Sequence, residues 1–500
     1  MKTKIKEETL PVKYYLKPNK KGRKYLSQCF GNTRVIYNWI LDFQNNYYEK
    51  VSEYSKEQNS EYLTSLPRDT DVQKKFYASE FKRLRGELIL PYDKGVEILK
   101  TLRPNIDELE TERCLLKKVK DEKTKKLVEA VPKQANKAIA VINAKRQIKF
   151  LRTEYKWLND APSGPYYHAA LNLDEAWKAF FDKRQSDTGK PTKKKHWAKQ
   201  SCTFDGVKVD FENNTVIFPL LKKSPQKFKA HRIIDGELKT ATVERTKTGK
   251  YFIIMNFRQS VAFPEPPTEA TPEKTLGIDL GIGDNYLIKA TGKSEDKGEI
   301  INNPRFFKAM FRKKKRLDRN VSRKKHNSKN WLKAKKKSDK LSEKLANLRD
   351  NFQHQLSHKI TNNDNYSHIV METLDLKGMS AKKKAVKDES GAYAKNGQGL
   401  KRAQNRATLD ASLGSLVQKI KYKSHRRGKQ FTQVDKYFPS TQLCHVCDYK
   451  NENLAISTKE FDCGGCGTHL HRDVNACKSL VKEGLRMVNP TPKKKKSKAK

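Results

Sequence analysis

Two sets of residues in this sequence have the types and spacing that metal chemistry needs. The first is Cys444, Cys447, Cys463 and Cys466, two C-x2-C pairs separated by fifteen residues. That is the spacing of a four-thiolate zinc site. Each pair would form a tight knuckle that turns two sulfurs toward one tetrahedral ion. Gly464, Gly465 and Gly467 are expected to supply the backbone angles. Four free thiols in a loop would leave the paired spacing unexplained. His445, His469 and His471 are further donors nearby, but four thiolates already complete the shell.

The second set is acidic. Asp279 stands inside the apolar run TLGIDLGIG, Glu372 stands near the end of YSHIVMETL, and Asp473 opens a helical run from Val474 to Leu485. A carboxylate within an apolar strand is unfavourable unless a cation compensates it. Mg2+ prefers hard oxygen donors of this kind, which the cysteine sulfurs are not. Read singly, each acid could equally pair with a nearby Lys or Arg, and an Asp at a helix start commonly serves as its N-cap.

These residues need elements to hold them. Val12 to Leu16 reads as a first strand. Lys24 to Val51 has helical periodicity, with Leu26, Phe30, Val35, Trp39, Leu41 and Phe43 on one buried face. Residues 60 to 150 read as mostly helical, broken at prolines. Trp157 to Phe181 is a second helical unit, followed by a basic loop from Lys183 to Lys199 placed to meet phosphates. The period then changes to two over Ser201–Phe204, Lys208–Phe211, Thr215–Leu221, Ala241–Arg245 and Tyr251–Phe257, which predicts a small antiparallel barrel or sheet. A proline-rich linker marks a boundary near residue 270. Beyond it lie the Asp279 strand in a hairpin, a basic helical stretch, the Glu372 strand, and a polar mobile loop from Lys377 to Gln404. A helix from Leu409 to Gly428 and a strand from Gln430 to Tyr437 lead into the cysteine stretch.

The chain has 500 residues, enough for about three domains by the length prior. Its formal net charge is +49, from 106 basic and 57 acidic residues, which points to a polyanionic partner. Lys308 to Arg349 alone carries 18 Lys or Arg against three acids, suited to lying along phosphates. No run approaches the ~18 apolar residues of a spanning helix, and the opening MKTKIKEETL has no apolar signal core. With Cys29, Cys114, Cys202 and Cys477 scattered, the expectation is a reduced, cytoplasmic protein with no membrane partner.

Several longer passages carry a resemblance. RVIYNWIL, LNLDEAWKAFFDKR, GIDLGIGDNYLI, SRKKHNSKNWLKAKKK, IVMETLDLKGM, YFPSTQLCHVCDYKNENLAI and CGGCGTHLHRDVNA stand in this order. Together they resemble TnpB, the transposon-encoded RNA-guided DNA endonuclease family related to compact type V CRISPR nucleases. The likeness spans most of residues 13 to 487. It implies a multidomain α+β protein, with a β-barrel wedge domain (1–24 and 200–270) and a helical recognition domain (25–199). An RNase H-like, RuvC-type nuclease domain (271–440 and 468–487), an inserted zinc ribbon (441–467) and a disordered basic tail (488–500) would follow. Asp279, Glu372 and Asp473 match the family's nuclease motifs and would hold two Mg2+ ions roughly 3.5–4 Å apart. Cys444, Cys447, Cys463 and Cys466 match its ribbon and would hold one structural Zn2+.

The resemblance also implies partners: a transposon-derived guide RNA, and double-stranded target DNA bound beside a short adjacent motif and cut on both strands. Guide pairing would choose the sequence, as in other RNA-guided effectors. The expected setting is a bacterial or archaeal nucleoid, with a monomer favoured. The stretch from 84 to 148 is longer than the family's usual helical domain. His471-Arg472-Asp473 stands where Asp-Arg-Asp is common, and Cys-Lys-Ser-Leu follows Ala476 in place of an alanine-rich helix. A CRISPR effector, a catalytically inactive RNA-guided regulator and a plain zinc-dependent DNA-binding accessory are the competing readings. Gene neighbourhood, loss of one acid, and DNA binding that survives RNase would respectively distinguish them.

Overall fold

The structure is a computed structural model. It describes residues 3–67, 69–84, 144–182, 188–387 and 396–489 (453, 456 and 457 excepted), together with 389, 391–394 and short pieces between 90 and 135. Much of the 84–148 stretch and the tail from 490 onward therefore lie outside the described residues. The chain divides into two compact units, Glu8–Gln259 and Met1–Glu7 with Ser260–Lys500. Among the described residues no helix is long and apolar enough to cross a membrane.

In the first unit, β1 (Thr3–Lys17) runs into α1 (Lys20–Ser65). Asn19 caps this helix, its side chain accepting a hydrogen bond from Gly22 N at 2.8 Å. The buried stripe of α1 includes Leu26, Phe30, Ile36, Ile40 and Tyr47, a 3.6-residue period, whereas Val35 faces outward. After α2 (Asp71–Leu84) the described pieces include a small hairpin, Lys117–Lys120 against Leu127–Ala130, in the stretch read from sequence as mostly helical with a solvated face or turn over Lys118 to Lys126. Val119 and Val128 are register partners in it. Helix α3 (Ala144–Glu154) and α4 (Gly164–Phe181) pack on α1. Buried Trp177 donates to Gln44 at 3.0 Å, which satisfies both polar groups.

The strands β2 (Gln200–Phe204), β3 (Lys208–Asp210), β4 (Thr215–Ile217), β5 (Gln226–Lys229), β6 (Glu237–Arg245) and β7 (Tyr251–Pro264) join β1 in a seven-stranded sheet of order β2-β6-β7-β1-β5-β4-β3. Strand β5 had no clear sequence signal, because only Gln226 and Phe228 of its four residues are buried.

The second unit is a mixed α/β layer. Strands β8 (Thr275–Leu280), β9 (Asn285–Thr291), β10 (Glu299–Asn302), β11 (His368–Glu372) and β12 (Gln430–Val434) form a sheet of order β10-β9-β8-β11-β12. The first three are antiparallel neighbours, and β11 and β12 run parallel to β8. One face, with Leu276, Ile278, Leu287, Ile369 and Met371, packs against α6 (Lys329–Thr361) and α9 (Leu413–Arg426). The opposite face, with Ile288, Ala290, Val370 and Val434, is covered by α10 (Arg472–Val488).

Helix α5 (Phe306–Ser322) buries none of its residues and lies along α6. Short α7 (Leu376–Ser380) leads through a loop to α8 (Gln398–Ala411). The segment read from sequence as loop to Gln404 thus ends at Gln398, where Gly397, at φ +70°, starts the helix. The helix read as continuous from Leu409 to Gly428 is broken at Ser412, which adopts φ +50°.

Candidate active site and cysteine cluster

Side-chain alternation decides where the acids point. On β8, Leu276 and Ile278 enter the α6/α9 core, so Gly277 and Asp279 face α10. On β11, Ile369 and Met371 enter the same core while Val370 packs with Leu480 of α10, so Glu372 faces α10 as well. Ile278 is paired with Met371 across the parallel strands, which makes Asp279 and Glu372 the next neighbours in register. Asp473 lies in the first turn of α10, the helix seated on that face.

The helix can sit so close because a glycine stands at two points of the contact, Gly277 on the sheet and Gly484 on the helix. A Cβ at Gly277 would collide with the carbonyl of Cys477, and one at Gly484 would collide with Val370. A glycine inside an apolar strand is the sequence sign of such an approach.

Electrostatics shows that Asp473 and Glu372 both act on Asp279. The Asp279 carboxyl is pushed up to about 7, first by burial and then by the negative charges of Asp473 and Glu372, with Arg472 partly offsetting them. Burial also raises Glu372. Arg472 donates through Nε to Asp473 Oδ1 at 3.3 Å. Asp473 keeps 23% of its side-chain surface exposed, so the cluster is open on one side. Among the described residues only the four cysteines bring their ligand atoms within 4.8 Å of one another; the acids are more loosely grouped, and a hard divalent cation would relieve the charge that Asp473 and Glu372 place on Asp279.

Asp473 is not the helix cap. His471 takes that position, its Nδ1 accepting from Val474 N at 3.4 Å, which leaves the aspartate free of capping. His445 and His469 are engaged with Asn475 and Asp462 respectively.

The four cysteine sulfurs converge within 4.8 Å of one another. Cys444 and Cys466 are 3.8 Å apart and Cys447 and Cys463 are 3.6 Å apart. A tetrahedral zinc with Zn–S bonds of about 2.3 Å requires sulfurs roughly 3.8 Å apart, so the cluster fits that ion. Burial opposes ionisation of Cys463, but backbone N–H groups of Gly465 and Cys466 and the neighbouring thiols bring it down to about 6. Among the three glycines, only Gly467 has positive φ, at +68°. Gly465 is needed instead because Tyr449 lies where its side chain would go, and the left-handed residue of the first knuckle is Asp448, at φ +62°. Strands β13 (Glu460–Asp462) and β14 (His469–His471) pair and run directly into α10.

The basic surfaces divide into paired and unpaired charges. In the Lys183–Lys199 loop, Lys190 and Lys193 pair with Glu49 and Asp42 of α1, and Lys194 lies over the ring of Tyr37 at 4.0 Å. Lys199 pairs with Glu244. Those four lysines hold the loop to the protein's own surface. On α5, Lys314 binds Asp318 and Ser338. Lys313 and Lys315 are exposed and make no ion pair among the described residues. A cavity of about 350 Å³ lined by Ile282, Phe307, Phe311 and Arg406 includes none of the three carboxylates.

With this geometry in place, the chain is defined as an α/β protein carrying an acidic cluster and a four-cysteine ribbon. Residues 258–383 match the IS605 OrfB family model, described as "Probable transposase", and residues 414–480 match "Cas12f1-like, TNB domain". Residues 9–52 match an IS605 OrfB model described as "Helix-turn-helix domain", although here they form a strand and one unbroken helix. Three segments of the chain are thus similar to IS605 OrfB and Cas12f1-like models. It is 28% identical over 66% of its length to an Escherichia coli K12 protein named "Putative RNA-guided DNA endonuclease InsQ", covering 77% of that protein. A Streptomyces pristinaespiralis protein named "Putative RNA-guided DNA endonuclease" is 26% identical over the same share, 74% of its own length. Among solved structures, a Cas12f1–sgRNA–target DNA complex aligns with 96% of this chain and 99% of that one, at 14% identity and a TM-score of 0.39.

The sequence reading gave no role to Gly277, Gly484, Arg472 or Asn475. Gly277 could have been found as a glycine within an apolar strand; the others depend on which face of α10 meets the sheet.

Proposed function

We propose that this protein is an RNA-guided DNA endonuclease whose RuvC-like site is formed by Asp279, Glu372 and Asp473. The observation that carries this reading is that Glu372 of β11 and Asp473 of α10 both act on Asp279 of β8, the three lying on one face of one sheet. The names of the curated relatives and the +49 charge support nucleic acid as both guide and substrate. A guide RNA would choose the target strand by pairing, and the basic helices would hold phosphates without reading sequence.

In this reading the three carboxylates hold Mg2+, which when bound supplies an activated water and charge stabilisation at the leaving 3′ oxygen. Asp279 and Glu372, fixed by strand register, would hold the cation from the sheet side. Asp473 approaches from the helix side, and Arg472 holds its carboxylate in place through Nε. The face left open by the partly exposed acids admits the DNA backbone. The four cysteines hold a structural zinc. The wedge and helical recognition domains inferred from sequence would grip the motif duplex and the guide–target helix.

The test is to purify the protein with the RNA from its own locus, sequence that RNA, and measure target binding and cleavage separately. Asp279→Ala, Glu372→Ala and Asp473→Ala should each bind target in an RNA-dependent way and cut at least 100-fold more slowly, on the order of what loss of electrostatic stabilisation removes. Asp284→Ala is the control, because Asp284 is 91% exposed and pairs with Arg305 at 2.8 Å. Cleavage at the parental rate by Asp279→Ala would overturn the assignment.

A further inference from the structure

Asn475 is 1% exposed and sits two residues after Asp473 on α10. Its amide uses both ends on the first cysteine knuckle. The oxygen accepts from His445 N at 2.9 Å and lies 2.9 Å from His445 Nδ1, while the nitrogen donates to the carbonyl of Leu443 at 2.7 Å. Leu443 and His445 flank the ligand candidate Cys444. Ser479, one turn further along, also donates to the Leu443 carbonyl at 3.0 Å.

The same helix faces the sheet through Cys477 and Val474, which pack with Ile288 and Ala290. Helix α10 is therefore held between two supports, the sheet on one side and the knuckle on the other. A second tie to the knuckle exists, since Lys482 and Arg486 pair with Asp448 at 2.8 and 2.9 Å. Those pairs are exposed, so salt screens them. Asn475 is buried and its bonds are partly so, and no single-charge substitute can replace them, because the site needs a donor and an acceptor together.

We propose that Asn475 is a positioning residue that fixes α10, and with it the Asp473 carboxylate, to the cysteine knuckle, so that the thiolate site governs the cation affinity of the acidic site. This rests on the reading of Asp473 as a cation ligand. The ribbon is then part of the scaffold of the acidic site. Residues that orient ligands from behind commonly change metal affinity by about 10- to 100-fold when removed.

The experiment uses full-length protein and Mn2+ as a paramagnetic probe of the acidic site, read by electron paramagnetic resonance alongside zinc content. Asn475→Ala should retain one zinc per chain, bind Mn2+ about 10-fold more weakly, and recover cleavage at raised Mg2+. Removing zinc from the parent should weaken Mn2+ binding similarly, and removing it from Asn475→Ala should add little, since both act through one contact. The zinc-removal arm needs no variant and stands if Asn475→Ala fails to fold. Mn2+ affinity unchanged by zinc removal, or parental in a folded Asn475→Ala, overturns the proposal. Asp473→Ala separates the two ideas. If it weakens Mn2+ binding while Asn475→Ala does not, only this inference fails. If it leaves Mn2+ binding intact, the ligand assignment fails and takes the inference with it.

Discussion

The carbonyl of Cys477 lies against the bare Cα of Gly277, at the place any side chain there would occupy. This contact sets the depth of α10 on the sheet, two residues from Asp279 on the strand and four from Asp473 on the helix. Gly277→Ala should displace the helix and loosen the acidic cluster. We expect a loss of about 1–3 kcal/mol, the usual cost of overpacking, and weaker cation binding, with RNA binding retained. Urea denaturation and Mn2+ titration of the same sample check it; parental stability and affinity would show the helix is not seated there.

Asp279 gives a pH signature. Its ordinary value is 3.8, and the folded chain raises it to about 7. Between those limits the folded state binds a proton that the unfolded state does not, so this group makes stability fall as pH rises through that window. Metal-free Asp279→Asn should therefore exceed the parent in stability at pH 8, by at most about 4 kcal/mol for the full interval, and the gap should close near pH 4. Added Mg2+ should stabilise the parent more than the variant, and more at pH 8 than at pH 5. Denaturation curves across pH test the sign, and a gap that widens on acidification would contradict it.

Thiolate loss should act locally at first. Cys463→Ser or Cys447→Ser should remove the zinc and unfold the ribbon, because metal binding supplies much of the folding free energy of so small a site. Metal analysis should find one zinc per parental chain. A folded, active, zinc-free parent would exclude the site.

The basic helix α5 is best tested at Lys313 and Lys315, with Lys314 left in place because it binds Asp318 and Ser338. Replacing the two exposed lysines with Ala should weaken nucleic-acid binding and flatten its salt dependence by up to about two phosphate contacts, without altering sequence choice. An unchanged slope of affinity against salt would mean that this face is only solvated.

The sequence by itself determined the elements and the candidate donors. Paired cysteine spacing, a carboxylate inside the Asp279 strand and another at the end of the Glu372 strand are local features, and local features survive in one dimension. It also located the change from helical to alternating periodicity near residue 200, because the side-chain period of a strand shows directly in the order of residues. It misplaced Val35 and missed the strand Gln226–Lys229, where too few residues are buried to set a pattern.

Only the tertiary structure decided which face of each element meets which neighbour. Asp279 and Glu372 lie side by side because β11 pairs parallel with β8 in one register, and a shift of one residue would have sent Glu372 into the opposite core. Asp473 does no capping because His471 takes the cap, and Asn475 ties the helix to Leu443 and His445, contacts between residues 30 and 32 positions apart. Hydrogen bonds of that kind depend on helix rotation and docking depth, which are set by the packing of Gly277 against Cys477, residues 200 positions apart in the chain.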